Sequence, residues 1–158
     1  MKNKSPIFLP VCLNISKKRC LVIGGGLIAQ QKIKRLLRFG ANVILISPEI
    51  TGSLKSLVSK GLILFKKQPY KKSFIRKSDI VFTATSSSKI NRRVSMDAIS
   101  AGALVNVADS KDFSSFIMPA IYKKKNITVA VSTAGKSPAL ARALRDKIRE
   151  DWPKISKL

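Results

Sequence analysis

The 158-residue chain is predicted to form an α/β fold, a doubly wound parallel sheet followed by a small α+β segment. Short apolar runs alternate with stretches whose apolar residues recur at helical spacing, and the breaks between them are short. Beyond residue 112 this rhythm changes, because two apolar runs are separated by only four residues, Lys123 to Asn126. A gap of that length allows a hairpin but not a parallel crossover.

Residues 1–112 hold the alternating elements. The first strand, 19–24, ends in glycine, and the helix that follows, 27–39, is stopped by Gly40. The other predicted elements are strand 42–47, helix 50–60, strand 62–65, strand 79–84, helix 90–100 and strand 103–107.

Residues 113–158 are predicted to form a hairpin and a helix. The hairpin strands are 116–122 and 127–132. The helix runs to about residue 150, with Ser137 as its N-cap and Pro138 as its first residue. We therefore divide the chain into a domain over 1–112 and a segment over 113–158.

The chain is strongly basic, with 31 lysines and arginines against 8 acidic residues and a net charge of +23. This charge has two alternative explanations: lysine-rich faces exposed to solvent, or a polyanionic partner. We find no helix-turn-helix or other element that reads nucleic acid, and no apolar run near the ~20 residues of a membrane span. We expect no nucleic-acid partner, no membrane partner and a cytoplasmic location.

The residue types present restrict the possible chemistry. The absence of histidine excludes a histidine base, and Cys12 and Cys20 do not form a CxxC pair, so we expect no metal site. Both cysteines lie in apolar stretches and are expected to be buried and inert.

A glycine-rich turn follows the first predicted strand. The pattern G-x-G-x-x-G/A is matched by Gly24, Gly25, Gly26, Leu27, Ile28 and Ala29. Gly24 permits a tight turn, Gly26 lets the backbone approach a pyrophosphate, and Ala29 lets the helix pack closely. The helix N-terminus then offers free N–H groups to the phosphates. With a strand before it and a helix after it, this turn predicts a dinucleotide site of the Rossmann type.

The end of the second strand indicates which dinucleotide binds. Ser47 and Pro48 stand where an acidic residue is usual, and Glu49 is the nearest carboxylate. Glu49 either contacts a ribose hydroxyl or helps to start the next helix. Because no lysine or arginine lies within 48–54 to hold a 2′-phosphate, we expect NAD rather than NADP.

Two further strand ends meet at the same edge of the predicted sheet. Thr83, Ala84 and Thr85 end the fourth strand, and Asn106 and Val107 end the fifth. Asp109 comes two residues after the end of the fifth strand. Without histidine, a carboxylate in this crevice is the expected proton acceptor, and the alternative for Asp109 is a loop cap.

With these residues placed, the chain resembles the precorrin-2 dehydrogenase/sirohydrochlorin ferrochelatase family, the N-terminal module of siroheme synthases. The resemblance covers residues 8–150. It lies in the glycine turn and in five further stretches: Leu9-Pro10-Val11, Thr83-Ala84-Thr85, Asn106-Val107-Ala108-Asp109, Phe116-Ile117-Met118-Pro119 and the run Val131 to Arg142 that contains Ser-Thr-Ala-Gly-Lys-Ser-Pro.

The resemblance implies NAD-dependent oxidation of precorrin-2 to sirohydrochlorin, with Asp109 as the catalytic carboxylate and Fe²⁺ insertion as an open addition. It also implies a homodimer that exchanges β structure and a polycarboxylate tetrapyrrole substrate, which a basic crevice would attract. A substrate carboxylate would be bound by Ser132, Thr133, Gly135 and Ser137, whose alternative role is capping the last helix. We expect the further helical domain of the family to be missing from 113–158.

One alternative function is a non-enzymatic Rossmann module that senses NAD and regulates a partner. Such a module shares the glycine turn but has no need of Asp109 or of the hairpin.

Overall fold

The computed structural model describes residues 6–76 and 79–155, and it confirms the predicted fold class. Within these residues, five strands form one sheet: β1 (Arg19–Ile23), β2 (Asn42–Ser47), β3 (Leu64–Lys67), β4 (Ile80–Thr83) and β5 (Leu104–Val107). Their order is β3-β2-β1-β4-β5, with each neighbouring pair parallel. Residues 1–5 and 156–158, which the predicted domain ranges include, lie outside the described residues.

Three α-helices of the described chain connect these strands. They are α1 (Leu27–Arg38), α2 (Gly52–Ser59) and α3 (Ser88–Ser100), and a short 3₁₀ turn spans Lys72–Phe74. Apolar residues at helical spacing on α1, namely Ala29, Ile33 and Leu36, are buried. Side chains cap the other two helices: Thr51 accepts from Leu54 N–H at the start of α2, and Ser87 accepts from Ile90 N–H at the start of α3.

The core lies mainly on the inner strands. Leu21 and Val81 are fully buried, and they pack with Val94 of α3 and Val105 of β5. β1 and β4 are buried over almost their whole length, as short apolar runs of a parallel sheet predict.

An ion pair joins the amino ends of β1 and β4. The guanidinium of Arg19 contacts the carboxylate of Asp79, whose side chain is fully buried. The same carboxylate accepts from Arg76 N–H at 2.7 Å, and Arg19 also donates to the carbonyl of Phe74 at 2.8 Å. This cluster fixes the entry to β4 at the edge of the sheet opposite to the strand ends where function is predicted.

Several predicted boundaries differ from the structure. α3 begins at Ser88 rather than at residue 90, and the last helix continues to Ile155 rather than to about residue 150. The third strand is two residues later than predicted and includes Lys66 and Lys67, because β3 is an edge strand whose lysines face solvent. The second helix begins at Gly52 rather than at residue 50, because Thr51 caps it.

The first hairpin strand was predicted to begin at residue 116, which is wrong. Residues 116–119 have no strand structure, and the carbonyl of Phe116 accepts instead from the side chain of Asn106. The expectation that both cysteines are buried was also wrong: Cys20 is buried, but Cys12 is exposed in the irregular segment before β1.

The chain divides into two compact units, Met1–Phe116 and Ile117–Leu158. In the second unit β6 (Ala120–Lys124) and β7 (Ile127–Val131) form an antiparallel hairpin, followed by α4 (Pro138–Ile155). Tyr122 of the hairpin packs edge-on against Trp152 of α4, with ring centroids 5.4 Å apart. Among the described residues, no helix has both the length and the apolarity needed to span a membrane.

Candidate cofactor cleft and adjacent carboxylate

A cleft of about 570 Å³ opens at the carboxyl ends of β1, β2 and β4. Its walls include eight residues predicted to bind cofactor: Gly24, Gly25, Gly26, Ser47, Pro48, Glu49, Ala84 and Thr85. The order of the sheet reverses between β1 and β4, and such a switch point is where open α/β sheets bind ligands.

The three glycines have different structural roles. Gly24 has φ +110°, and a Cβ there would lie 2.4 Å from the carbonyl oxygen of Ala84. A Cβ on Gly25 would lie 1.9 Å from the carbonyl oxygen of Glu49. A Cβ on Gly26 would meet nothing within 4 Å. The first two glycines are therefore required by the fold itself, whereas Gly26 leaves open space at the start of α1.

Gly26 is the N-cap residue of α1 and makes no side-chain cap hydrogen bond. The N–H groups of a first helical turn have no partner inside the helix and carry the positive end of the helix dipole. Gly26 also lines the cleft. This end of the cleft therefore suits an anion that approaches the backbone closely, as a pyrophosphate does.

The turn after β2 is fastened to the glycine loop. Thr51 N–H donates to the carbonyl of Gly25 at 3.1 Å, and its hydroxyl lies 2.6 Å from the side-chain oxygen of Gln30. The hydroxyl of Ser47 donates to the carbonyl of Glu49 at 2.6 Å, so in this conformation it can only accept a hydrogen bond from a ribose hydroxyl. The Glu49 side chain is exposed beside the cleft.

An adjoining cavity of about 500 Å³ shares Pro48, Glu49 and Ile50 with the cleft. It is also lined by Lys55 and Lys67, which lie outside residues 48–54, the stretch whose lack of lysine and arginine predicted NAD rather than NADP. Folding therefore brings lysines beside Glu49 that the local sequence does not reveal.

Asp109 lies just beyond β5, next to the end of β4. The N–H of Ala108 donates to the carbonyl of Thr83 at 3.0 Å, which holds the two strand ends side by side. The carboxylate accepts from the hydroxyl of Ser88 at 2.7 Å and from the side-chain amide of Asn91 at 3.1 Å. That amide also donates at 3.2 Å to the carbonyl of Thr85, which lines the cleft.

These contacts set the protonation state of Asp109. Partial burial opposes ionisation and raises the pKa of its carboxyl, but the hydrogen bonds from Ser88 and Asn91 outweigh it, and the net pKa is below the usual value. Asp109 is therefore a carboxylate at neutral pH, and its side chain is exposed rather than sealed in the core.

Six residues predicted to bind cofactor do not line the cleft. Leu27 and Ile28 are exposed on α1, whereas Ala29 and Thr83 are fully buried and Val107 belongs to the core. The sixth, Asn106, uses its side chain within the protein. Its oxygen accepts from the Lys32 ammonium at 2.6 Å, and its amide donates to the Phe116 carbonyl at 2.9 Å.

The predicted substrate-binding residues form the loop before α4 in the second unit. Ser137 caps α4 by accepting from Leu140 N–H, as the capping alternative predicts. Thr133 accepts from Ser137 N–H at 3.0 Å, and Ser132 accepts from Ala134 N–H at 3.1 Å. Gly135 follows with φ +75°. Their role in binding a substrate stays a prediction.

Sequence reasoning missed Asn91 and Tyr70. Asn91 is 1% exposed and lies on the buried face of α3 with Val94, Ser95 and Ala98. A polar residue in such a stripe signals a buried hydrogen bond and could have been noticed. Tyr70 lines the cleft from the loop after β3, and its hydroxyl donates to Asp97 at 2.8 Å. That loop has no local pattern that points to the cleft.

Comparison with known proteins agrees with this geometry. Residues 11–120 match the model of a protein family described as "Putative NAD(P)-binding". The chain belongs to this family. Residues 124–150 match a second model, described as "Sirohaem biosynthesis protein central".

Curated relatives and a solved structure confirm the resemblance found in the sequence. The siroheme synthase of Nitrosomonas europaea is 41% identical over 142 residues, which are 89% of this chain and 30% of the relative. That of Nitrosococcus oceani is 39% identical over 141 residues, again 89% and 30%. The chain thus spans about 30% of the length of these relatives. The structure of SirC, a precorrin-2 dehydrogenase, has a TM-score of 0.79 at 25% identity and covers 91% of this chain and 71% of its own.

The described residues contain no group of three or more Cys, Asp or Glu that could hold a metal ion.

Proposed function

We propose that this chain oxidises precorrin-2 to sirohydrochlorin with NAD as the hydride acceptor, a step of siroheme biosynthesis. One observation carries the proposal. The ionised Asp109 lies at the same sheet edge as the glycine-lined cleft and is linked to its wall through Asn91 and Thr85. The similarity to a precorrin-2 dehydrogenase and to siroheme synthases supports the choice of substrate.

The oxidation removes a hydride and a proton from the substrate. NAD supplies the hydride acceptor when it is bound. Loss of hydride leaves a cationic substrate whose remaining proton is acidic, so a carboxylate of low pKa is a sufficient base. Asp109 therefore accepts that proton on a carboxylate oxygen and releases it to water, which its exposed position allows.

The residues of the cleft hold the dinucleotide in this proposal. The backbone at Gly26 and the start of α1 bind the pyrophosphate, while Gly24 and Gly25 pack against the neighbouring strand ends. Glu49 stands beside the cleft, where an acidic residue hydrogen-bonds the ribose hydroxyls. Its charge favours NAD, and Lys55 and Lys67 in the adjoining cavity favour NADP, so both cofactors belong in the assay.

The second unit serves dimerisation and substrate binding in this proposal. A two-stranded hairpin is marginal by itself and is stabilised by further strands or by a packed helix. Here α4 packs against Tyr122 on one face, and Thr128 and Ala130 of β7, which point to the other face, stay exposed. We assign this hairpin to a homodimer contact, which sedimentation analysis would test. The tetrapyrrole as partner and a cytoplasmic location stay part of the proposal.

An anaerobic assay with precorrin-2 tests the function. We expect NADH to form in step with sirohydrochlorin, in greater yield with NAD than with NADP. A parallel reaction with Fe²⁺ tests whether metal insertion follows. NAD binding measured by calorimetry without any turnover of precorrin-2 would contradict the enzymatic proposal and favour the NAD-sensing regulatory module.

A further inference from the structure

Asn91 is a buried polar side chain at the junction of three elements. It lies in α3, is 1% exposed, and makes hydrogen bonds to the end of β4 and to the residue beyond β5. Its side-chain oxygen accepts from the hydroxyl of Thr83 at 2.6 Å and from the N–H of Thr85 at 3.1 Å. Its side-chain nitrogen donates to the carbonyl of Thr85 and to Asp109.

The surroundings allow the Asn91 amide only one orientation. A backbone N–H can only donate, so the amide oxygen must face Thr85 N–H. The carbonyl of Thr85 and the carboxylate of Asp109 can only accept, so the NH₂ group must face them. In a flipped amide, the NH₂ group would face Thr85 N–H, and the amide oxygen would face the Thr85 carbonyl and the Asp109 carboxylate. The donor that Asp109 receives is therefore fixed by the backbone of Thr85.

We propose that Asn91 is a positioning residue for Asp109, tying the orientation of that carboxylate to the wall of the cofactor cleft. This inference rests on the proposed function, because it concerns the carboxylate to which that function assigns the proton. The second donor to Asp109 is Ser88, at 2.7 Å, whose hydroxyl is exposed and free to turn to water. The buried amide is thus the contact that holds one carboxylate oxygen in place.

A purely structural role predicts different behaviour. If Asn91 only joined α3 to β4, Asn91→Asp would lower stability, since it removes the donor to the Thr85 carbonyl, but it would leave the titration of Asp109 unchanged. As a positioning residue, the same substitution replaces the donor by a second carboxyl oxygen at about the 3.1 Å that separates the amide from Asp109 now. Two carboxyl groups at that distance share a proton and titrate as a coupled pair, so the carboxyl signal of Asp109 acquires a second titration step above the midpoint of the unsubstituted chain.

The test uses carboxyl-detected NMR titration of the full chain, which needs no substrate. In Asn91→Asp we expect the carboxyl signal of Asp109 to show a step at least about one pH unit above its midpoint in the unsubstituted chain. Asn42→Asp is the matched control, because Asn42 begins β2 at the opposite edge of the sheet. In the unsubstituted chain, the side-chain NH₂ signals of Asn91 should move with the midpoint of Asp109, while those of Asn42 should not.

Kinetics give the second measurement. We expect Asn91→Asp to lower kcat for precorrin-2 oxidation by about 10- to 100-fold while calorimetry shows NAD affinity within about twofold of wild type. The proposal is overturned if the Asp109 titration shifts no further in Asn91→Asp than in Asn42→Asp. It is also overturned if the NH₂ chemical shifts of Asn91 do not change as Asp109 titrates. If the unsubstituted chain does not oxidise precorrin-2, the proposed function fails, and the titrations still decide whether Asn91 holds Asp109.

Discussion

Gly26→Ala should separate cofactor binding from folding. A Cβ at Gly26 meets nothing within 4 Å, and the φ of −84° there is open to any residue. Alanine is a poorer N-cap than glycine by about 0.5–1 kcal/mol, and the loss of a glycine from the unfolded chain returns about 0.4–1 kcal/mol. These terms nearly cancel, so we expect Tm to change by less than about 4 °C.

The Gly26→Ala substitution should instead weaken the binding of NAD. The new methyl group stands where the pyrophosphate approaches the backbone, so at least one charge-assisted hydrogen bond to the phosphates is lost. Such a bond contributes about 1.5–3 kcal/mol, which corresponds to a 10- to 150-fold rise in Kd. Calorimetric titration with NAD, together with thermal unfolding of the same samples, measures both quantities.

Two other glycines provide the controls. Gly52 also has open space for a Cβ but does not line the cleft, so Gly52→Ala should leave the Kd for NAD unchanged. Gly24→Ala should instead lower stability by more than about 2 kcal/mol, because its positive φ and its contact with Ala84 both resist a side chain. An unchanged Kd in Gly26→Ala would refute the assignment of the pyrophosphate to this turn.

Three further predictions concern charged groups. Asp109→Asn should abolish precorrin-2 turnover and keep NAD affinity within about twofold of wild type. The control Asp112→Asn, in the same loop, should stay active. Turnover in Asp109→Asn would show that this carboxylate is not needed for the reaction. Arg19→Met should lower the free energy of unfolding in urea by about 3 kcal/mol, since it leaves a buried carboxylate without its cation, whereas Lys147→Met, in an exposed pair, should change it by less than about 0.5 kcal/mol. Burial, and secondarily the charge of Arg35, lower the pKa of Lys32 to about 8. Between pH 8 and the ordinary pKa of 10.5, the unfolded chain binds more protons than the folded chain, so the free energy of unfolding rises with pH. Over this range the wild type should gain up to about 3 kcal/mol in free energy of unfolding relative to Lys32→Met. Equal pH dependence of the two proteins would contradict the lowered pKa.

Local patterns in the sequence were enough to predict the order of the elements and about half of the residues that line the cleft. Apart from the edge strand β3, the strands of the parallel sheet are mainly apolar runs. The glycine turn identifies the end of β1, so the neighbouring strand ends follow from the topology. The edge strand β3 was misplaced because its exposed lysines weaken the apolar signal.

The rest depends on contacts between residues distant in sequence. Phe116 is not part of the predicted strand, because its carbonyl accepts a hydrogen bond from the side chain of Asn106. That side chain in turn accepts a hydrogen bond from Lys32. Asn91 could not be assigned a role before α3, β4 and β5 were in place. Lys67 likewise lines a cavity with Glu49 only because β3 pairs with β2.

The ion pair between Arg19 and Asp79 places a stabilising interaction at the rim of the sheet farthest from the chemistry. Substitutions in the loops that bind ligands therefore leave this anchor intact, and losses there need not reduce the amount of folded protein. The same anchor makes Arg19 a position where a single change would affect abundance before it affected turnover.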